Sequence, residues 1–147
     1  MQGWILSYDF YQSANCLDDR RLLANIYENI HGLASLVGLN DKLINPKRSV
    51  KNHPNIKRWD GYIQAYINYI HRHLMSWDDR YPIKDTSINL NNMIYIMEQI
   101  NVFPLVIDLI PKWITDELIQ EHKQILLQKD YKFYSQVFNN IKHRSKQ

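Results

Sequence analysis

Between residues 17 and 38, apolar side chains return every three or four positions. Leu22, Leu23, Ile26, Ile30, Leu33 and Val37 form one stripe at helical spacing. The pattern predicts a first long helix starting at about Ser13–Cys16 and running to Val37. Ser13 or Asn15 would be its N-cap and Gly38 its stop, with residues 1–12 extended or coiled. A basic loop follows, with Lys42, Lys47, Arg48 and Lys51 close together. A second long helix is predicted from the Asn52-His53-Pro54 stretch to about Trp77, with Pro54 in its first turn. Ile56, Trp59, Ile63, Tyr66, Ile70, Leu74 and Trp77 make its core stripe. After a turn over residues 78–87, a third helix is expected over about Ile88–Ile100 and a fourth over about Thr115–Gln128. Asp130 would cap a last short helix through Phe138. The expected fold is all-α: one compact domain over residues 1–147, two long helices and two or three shorter ones, and a short basic tail at about 139–147.

The face opposite the first stripe is unusual. Arg21, Ala24, Glu28, Gly32 and Ser35 fall together there, so one carboxylate stands among small residues and one arginine. Such a carboxylate can serve as general acid or base, or stabilise a cationic intermediate. The plainer reading is helix packing, with the small residues admitting another helix and Glu28 pairing with a cation. A second constellation surrounds the start of the second long helix: Lys51, His53, Lys57, Arg58 and Trp59. A helix N-terminus offers free N–H groups and a positive partial charge, which suits phosphate. The plainer alternative makes His53 a cap, Trp59 core and the cations solvated.

Composition narrows the function classes. With 147 residues and 45% hydrophobic content the chain is globular, and four glycines argue against a loop-rich β architecture. A net charge of +3 is compatible with a polyanionic partner and is weak evidence for one. Cys16 is the one cysteine, so no internal disulfide is possible and a reducing compartment is expected. It has no evident histidine partner to make it a nucleophile. There is no apolar run of 18 residues, and the first ten residues lack the basic start and apolar stretch of a signal peptide. His71 and His73 are two apart on a helix and cannot share a metal; no Walker, dinucleotide-binding, GxSxG or zinc pattern is present. No metal, cofactor or membrane is expected.

Four stretches together resemble the pyrimidine-dimer DNA glycosylase family, typified by phage endonuclease V enzymes, and resemble more closely a less-studied bacterial and viral branch. SANCLDDRRLLANIYE is similar to the family's first helix, which ends in the catalytic Glu, here Glu28. KNHPNIKRWDGY, RYPIKDTS and HKQILLQKDYKFY are similar to later segments in the same order, so the likeness covers most of residues 1–138. The resemblance implies an all-α glycosylase with lyase activity, in which the protein's N-terminal amine attacks C1′ of a damaged nucleotide and forms an imine. An α-amine, with a pKa of about 7.7–8, is partly neutral near pH 7.5 without deep burial. Small residues at 24, 32 and 35 would then leave room for sugar–phosphate beside Glu28. Departures are visible. Gln2 is too large for the usual removal of Met1, so the amine would be that of Met1, and no arginine follows it. Tyr27 and His31 stand where the family has arginines beside the catalytic Glu.

These readings assign catalytic roles to Glu28 and Met1. Arg20, Arg21, Asn25, His31, Lys51, His53, Lys57, Arg58, Lys84 and Lys129 are the expected nucleic-acid contacts. The expected partner is duplex DNA, damaged or modified, in the cytoplasm or another reducing, DNA-containing compartment. Two alternatives stay open: a non-enzymatic nucleic-acid-binding module of the same fold, and an enzyme acting on free or modified nucleotides.

Overall fold

The computed structural model describes residues 3–38, 50–81 and 110–145. The fold is all-α, with six helices and no strand among the described residues: α1 (Phe10–Asn15), α2 (Asp19–Val37), α3 (Pro54–Lys57), α4 (Ile63–Arg80), α5 (Asp116–Lys129) and α6 (Tyr131–Ser145). The two long helices are α2 and α4. α4 packs against both α1 and α2, α3 against α2, and α5 against α6. No described helix is long and apolar enough to cross a membrane. The helix expected over Ile88–Ile100 lies outside the described residues.

Each predicted long helix is broken once. Asp9 caps α1 by accepting from the N–H groups of Tyr11 and Gln12, so helix begins at Phe10, earlier than expected. Neither Ser13 nor Asn15 is a cap. Ser13 is buried and its Oγ accepts from the Leu6 N–H at 2.9 Å. The chain then bends at Cys16–Asp18 because the Asp18 N–H turns to the Tyr134 hydroxyl at 3.2 Å instead of continuing a helical ladder. α2 ends as expected at Gly38, whose φ of 73° is the left-handed conformation of a C-terminal stop. The second break follows α3. Gly61, at φ 83°, reverses the chain before α4. Thr115 caps α5 through the Leu118 N–H. Asp130 accepts from the Phe133 N–H at 3.2 Å, and α6 runs past Phe138 into the expected tail, to Ser145.

The core includes a segment that is not helical. Trp4, Ile5 and Leu6 are 6%, 0% and 2% exposed, threaded beside Phe10, Leu17, Leu22, Ile26, Trp59, Tyr66 and Tyr69. Val37, assigned to the core stripe, is exposed instead, in the last turn of α2. Gly32 was placed on the open face and is buried. A Cβ there would lie 2.4 Å from Ile56 Cδ1 and 2.7 Å from the Tyr66 hydroxyl oxygen, both atoms of fully buried side chains. Gly32→Ala is therefore expected to destabilise the protein by about 1–2 kcal/mol, the overpacking cost less the helix-propensity gain. A denaturant titration showing no loss would contradict that close approach.

His73 is buried inside α4. Its Nδ1–H donates to the Tyr69 carbonyl at 2.7 Å, and its Nε2 has no partner among the described residues. Burial pushes its pKa down to about 4. In the unfolded chain the group titrates near 6.5. Between those values the unfolded state binds a proton that the folded state does not. Stability is thus full above about pH 6.5 and falls as pH drops toward 4, by up to about 3 kcal/mol. Urea midpoints measured from pH 7 to 4.5 should show the decline, and His73→Gln should flatten it.

Candidate nucleic-acid interface around Glu28

Glu28 sits midway along α2, half-buried, with the exposed Ala24 one turn before it. Among the described residues no hydrogen bond or ion pair reaches its carboxylate. Its neighbours on the helix face inward. The Asn25 amide donates to the Tyr69 hydroxyl at 2.7 Å, and the Asn29 amide donates to Asn25 Oδ1 at 2.9 Å and to the Asn25 carbonyl at 2.7 Å. Tyr66 donates to Asn29 Oδ1 at 2.8 Å, and Tyr69 donates to the Trp4 carbonyl at 2.6 Å. This buried network ties α2, α4 and the N-terminal segment into one unit behind Glu28. Burial raises the pKa values of Tyr66 and Tyr69, and the Glu28 charge adds to both in the same direction. Both phenols are neutral donors at physiological pH.

The N-terminal segment is gripped from three sides. Arg58 Nη2 donates to the Gly3 carbonyl at 3.2 Å, Tyr69 to the Trp4 carbonyl, and the Ile5 N–H donates to His122 Nδ1 at 2.9 Å. Trp4 packs edge-on against the His122 ring. Burial, and then the Arg58 charge, lower the His122 pKa, which keeps Nδ1 free to accept.

The expected nucleic-acid contacts divide by position. Arg20, Lys51, Lys57 and Lys129 are exposed. His31 is half-buried on the same helix as Glu28. The Val50 N–H donates to Ser35 Oγ at 3.3 Å, which brings the segment carrying Lys51, His53 and Lys57 against the second half of α2. His53 accepts from the Asn55 N–H as cap of α3, the plainer of its two readings. Arg21 is held by Asp18 at 3.1 Å and lies over the Tyr134 ring, at the other end of α2. Met1 and Lys84 lie outside the described residues.

Three expectations are corrected by burial. Asn25 is 2% exposed and belongs to the interior network, not to a surface that meets nucleic acid. Arg58 turns inward, over the Trp113 ring at 4.2 Å and onto Gly3. The small residues do not all make room for a sugar: Gly32 admits Ile56 and Tyr66, Ser35 holds residue 50, and Ala24 alone of the three stays exposed. Asn29, Tyr69 and His122 are unassigned by the sequence, and Tyr66 is read there as core alone. Two amides four apart on an apolar helix, facing a tyrosine pair three apart, were the available signal.

Burial pushes the Cys16 thiol up to about 11, which makes it inert as a nucleophile. Among the described residues no cluster of His, Cys, Asp and Glu has the arrangement to hold a metal ion.

A model of the family described as pyrimidine dimer DNA glycosylase matches residues 1–89, the span from the N-terminal segment through α4. No curated protein and no solved structure matches the chain.

Proposed function

The chain belongs to the pyrimidine dimer DNA glycosylase family, and from that membership we propose that it is a DNA glycosylase with AP-lyase activity, its N-terminal amine and Glu28 forming the reacting pair. The family implies DNA as partner and a glycosylase-type repair function. In the proposed reaction the neutral amine attacks C1′ of the damaged nucleotide and the base departs with a proton. The C1′–O4′ bond then breaks, O4′ taking a proton from the nitrogen, and leaves an open-chain imine. The imine acidifies C2′–H, and loss of that proton expels the 3′ phosphate and nicks the strand. Glu28 stabilises the cationic character at C1′ and carries protons. The target nucleotide must leave the stack to be reached, and the exposed Arg20, Lys51, Lys57 and Lys129 supply cations for the phosphates.

The observation that carries this reading is the N-terminal segment. Gly3, Trp4 and Ile5 are fixed in the core, and Trp4 shares the Tyr69 hydroxyl with Asn25, one turn of α2 before Glu28. A segment anchored there, and on the adjoining helix a carboxylate with no hydrogen bond or ion pair among the described residues, support the reading. Borohydride trapping on duplex DNA carrying an abasic site tests it, since reduction captures the protein on the sugar only if an imine forms. Retained DNA binding with no trapped adduct would favour the non-enzymatic module.

A further inference from the structure

We propose that His122 is a proton-operated latch: its neutral ring holds the N-terminal segment against α5, and protonation parts the two. Among the described residues four side chains hold residues 3–6. Arg58 donates to the Gly3 carbonyl and Tyr69 to the Trp4 carbonyl, while the Ile5 N–H donates to His122 Nδ1 at 2.9 Å and the Leu6 N–H to Ser13 Oγ. A guanidinium, a phenol and an aliphatic hydroxyl keep their protons near neutrality. Of the four, the imidazole alone changes charge there.

The geometry decides what that change does. Nδ1 accepts from Ile5, so in the neutral ring the proton sits on Nε2. A second proton must go to Nδ1, and two N–H donors then face each other where the bond was. Ile5 is fully buried and His122 is 3% exposed, with Trp4 packed edge-on against the ring at 5.7 Å between centroids. Water reaches neither donor unless the contact opens, and an unpaired charge in such a place is costly. Two charged groups of the described residues act on the ring. Arg58, at the end of α3, opposes a second cation; Glu121, beside His122 on α5, favours one, but it is exposed and solvent screens it. The N-terminal segment meets the ring with a backbone N–H and an indole, and Tyr66 and Tyr69 of α4 stay neutral. Burial acts most strongly, and with Arg58 it holds the closed ring below the ordinary histidine value. Opened, the ring returns to that value, about 6.5. Below it, opening takes up one proton, so each unit of acidification makes opening about tenfold easier.

His122 lies beyond residues 1–89, the span the family model matches, so the latch ties the second half of the chain to the matched half. It is independent of the catalytic reading, since a chain that binds DNA without reacting would carry it equally.

Amide hydrogen exchange of the full chain, followed by NMR between about pH 7.5 and 5 and corrected for the intrinsic rate, tests the latch. His73 titrates in the same range and acts on the whole fold, so the fully buried Leu22 and Ile70 serve as references for global unfolding. Protection of the Ile5 amide is expected to fall about tenfold per unit below the histidine midpoint, while both references stay better protected at every pH. His122→Asn places an amide oxygen near the position of Nδ1 and does not titrate, so Ile5 protection in it should stay level. Native Ile5 protection that does not fall, or that equals the references throughout, overturns the proposal, as does the same fall in folded His122→Asn. If His122→Asn does not fold, the nitrogen-15 coupling across the Ile5–His122 bond of the native chain decides. A coupling present at pH 7.5 and lost as the ring titrates, with Leu22 still protected, supports the latch. One that is absent at pH 7.5, or that survives protonation, overturns it.

Discussion

Acetylating the N-terminal amine, or leaving a tag ahead of Met1, is expected to abolish borohydride trapping on abasic DNA while equilibrium DNA binding changes little. An acetylated nitrogen has its lone pair delocalised into the carbonyl and does not attack. A tag retains an amine but moves it by up to about 3.5 Å per added residue. The chain cannot compensate by sliding inward, because Trp4 and Ile5 are pinned to Tyr69 and His122. A nucleophile misplaced by 1 Å already costs about 10²-fold, so a tag of several residues should leave no measurable adduct. Trapping and nicking at the native rate by a tagged protein would assign the attack to a lysine. Lys129, exposed at the end of α5, and Lys84 are the first to exchange.

Glu28→Gln should lower trapping and strand nicking by about 10²–10⁴-fold with the fold retained. The stability part of that expectation comes from the carboxylate's surroundings. It is half-buried and has no hydrogen bond or ion pair among the described residues, so an amide of equal size should cost about 1 kcal/mol or less. Circular dichroism melts and single-turnover nicking on the same preparations separate the two effects. A clear fall in melting temperature with unaltered nicking would make Glu28 a packing residue, the plainer reading its helix face first offered.

The sequence carried the long helices well and their interruptions badly. The stripe Leu22, Ile26, Ile30 and Leu33 faces the core as spacing predicts, because apolar periodicity and burial share one cause. The break at Cys16–Asp18 was hidden because its cause, the Tyr134 hydroxyl, lies 116 residues away. Polar side chains misled in one direction. Asn25 and Arg58 read as surface groups, since nothing local reveals the tyrosine that satisfies one or the indole that covers the other. Gly32 looked like space for a ligand and is space for Ile56, a choice that depends on which helix arrives. At Glu28 the sequence showed a carboxylate out of keeping with a solvated face, and what lies behind it needed coordinates.

The grip on the N-terminal segment also orders events during synthesis. His122, which accepts the Ile5 N–H, is made 117 residues after it. At about 5–20 residues per second that is an interval of roughly 6–23 s. Throughout it the first residues have been translated while one of their three anchors does not yet exist. A chain ending before α5 therefore carries Glu28 and the buried asparagines, yet lacks the side chain that holds the N-terminal segment at Ile5.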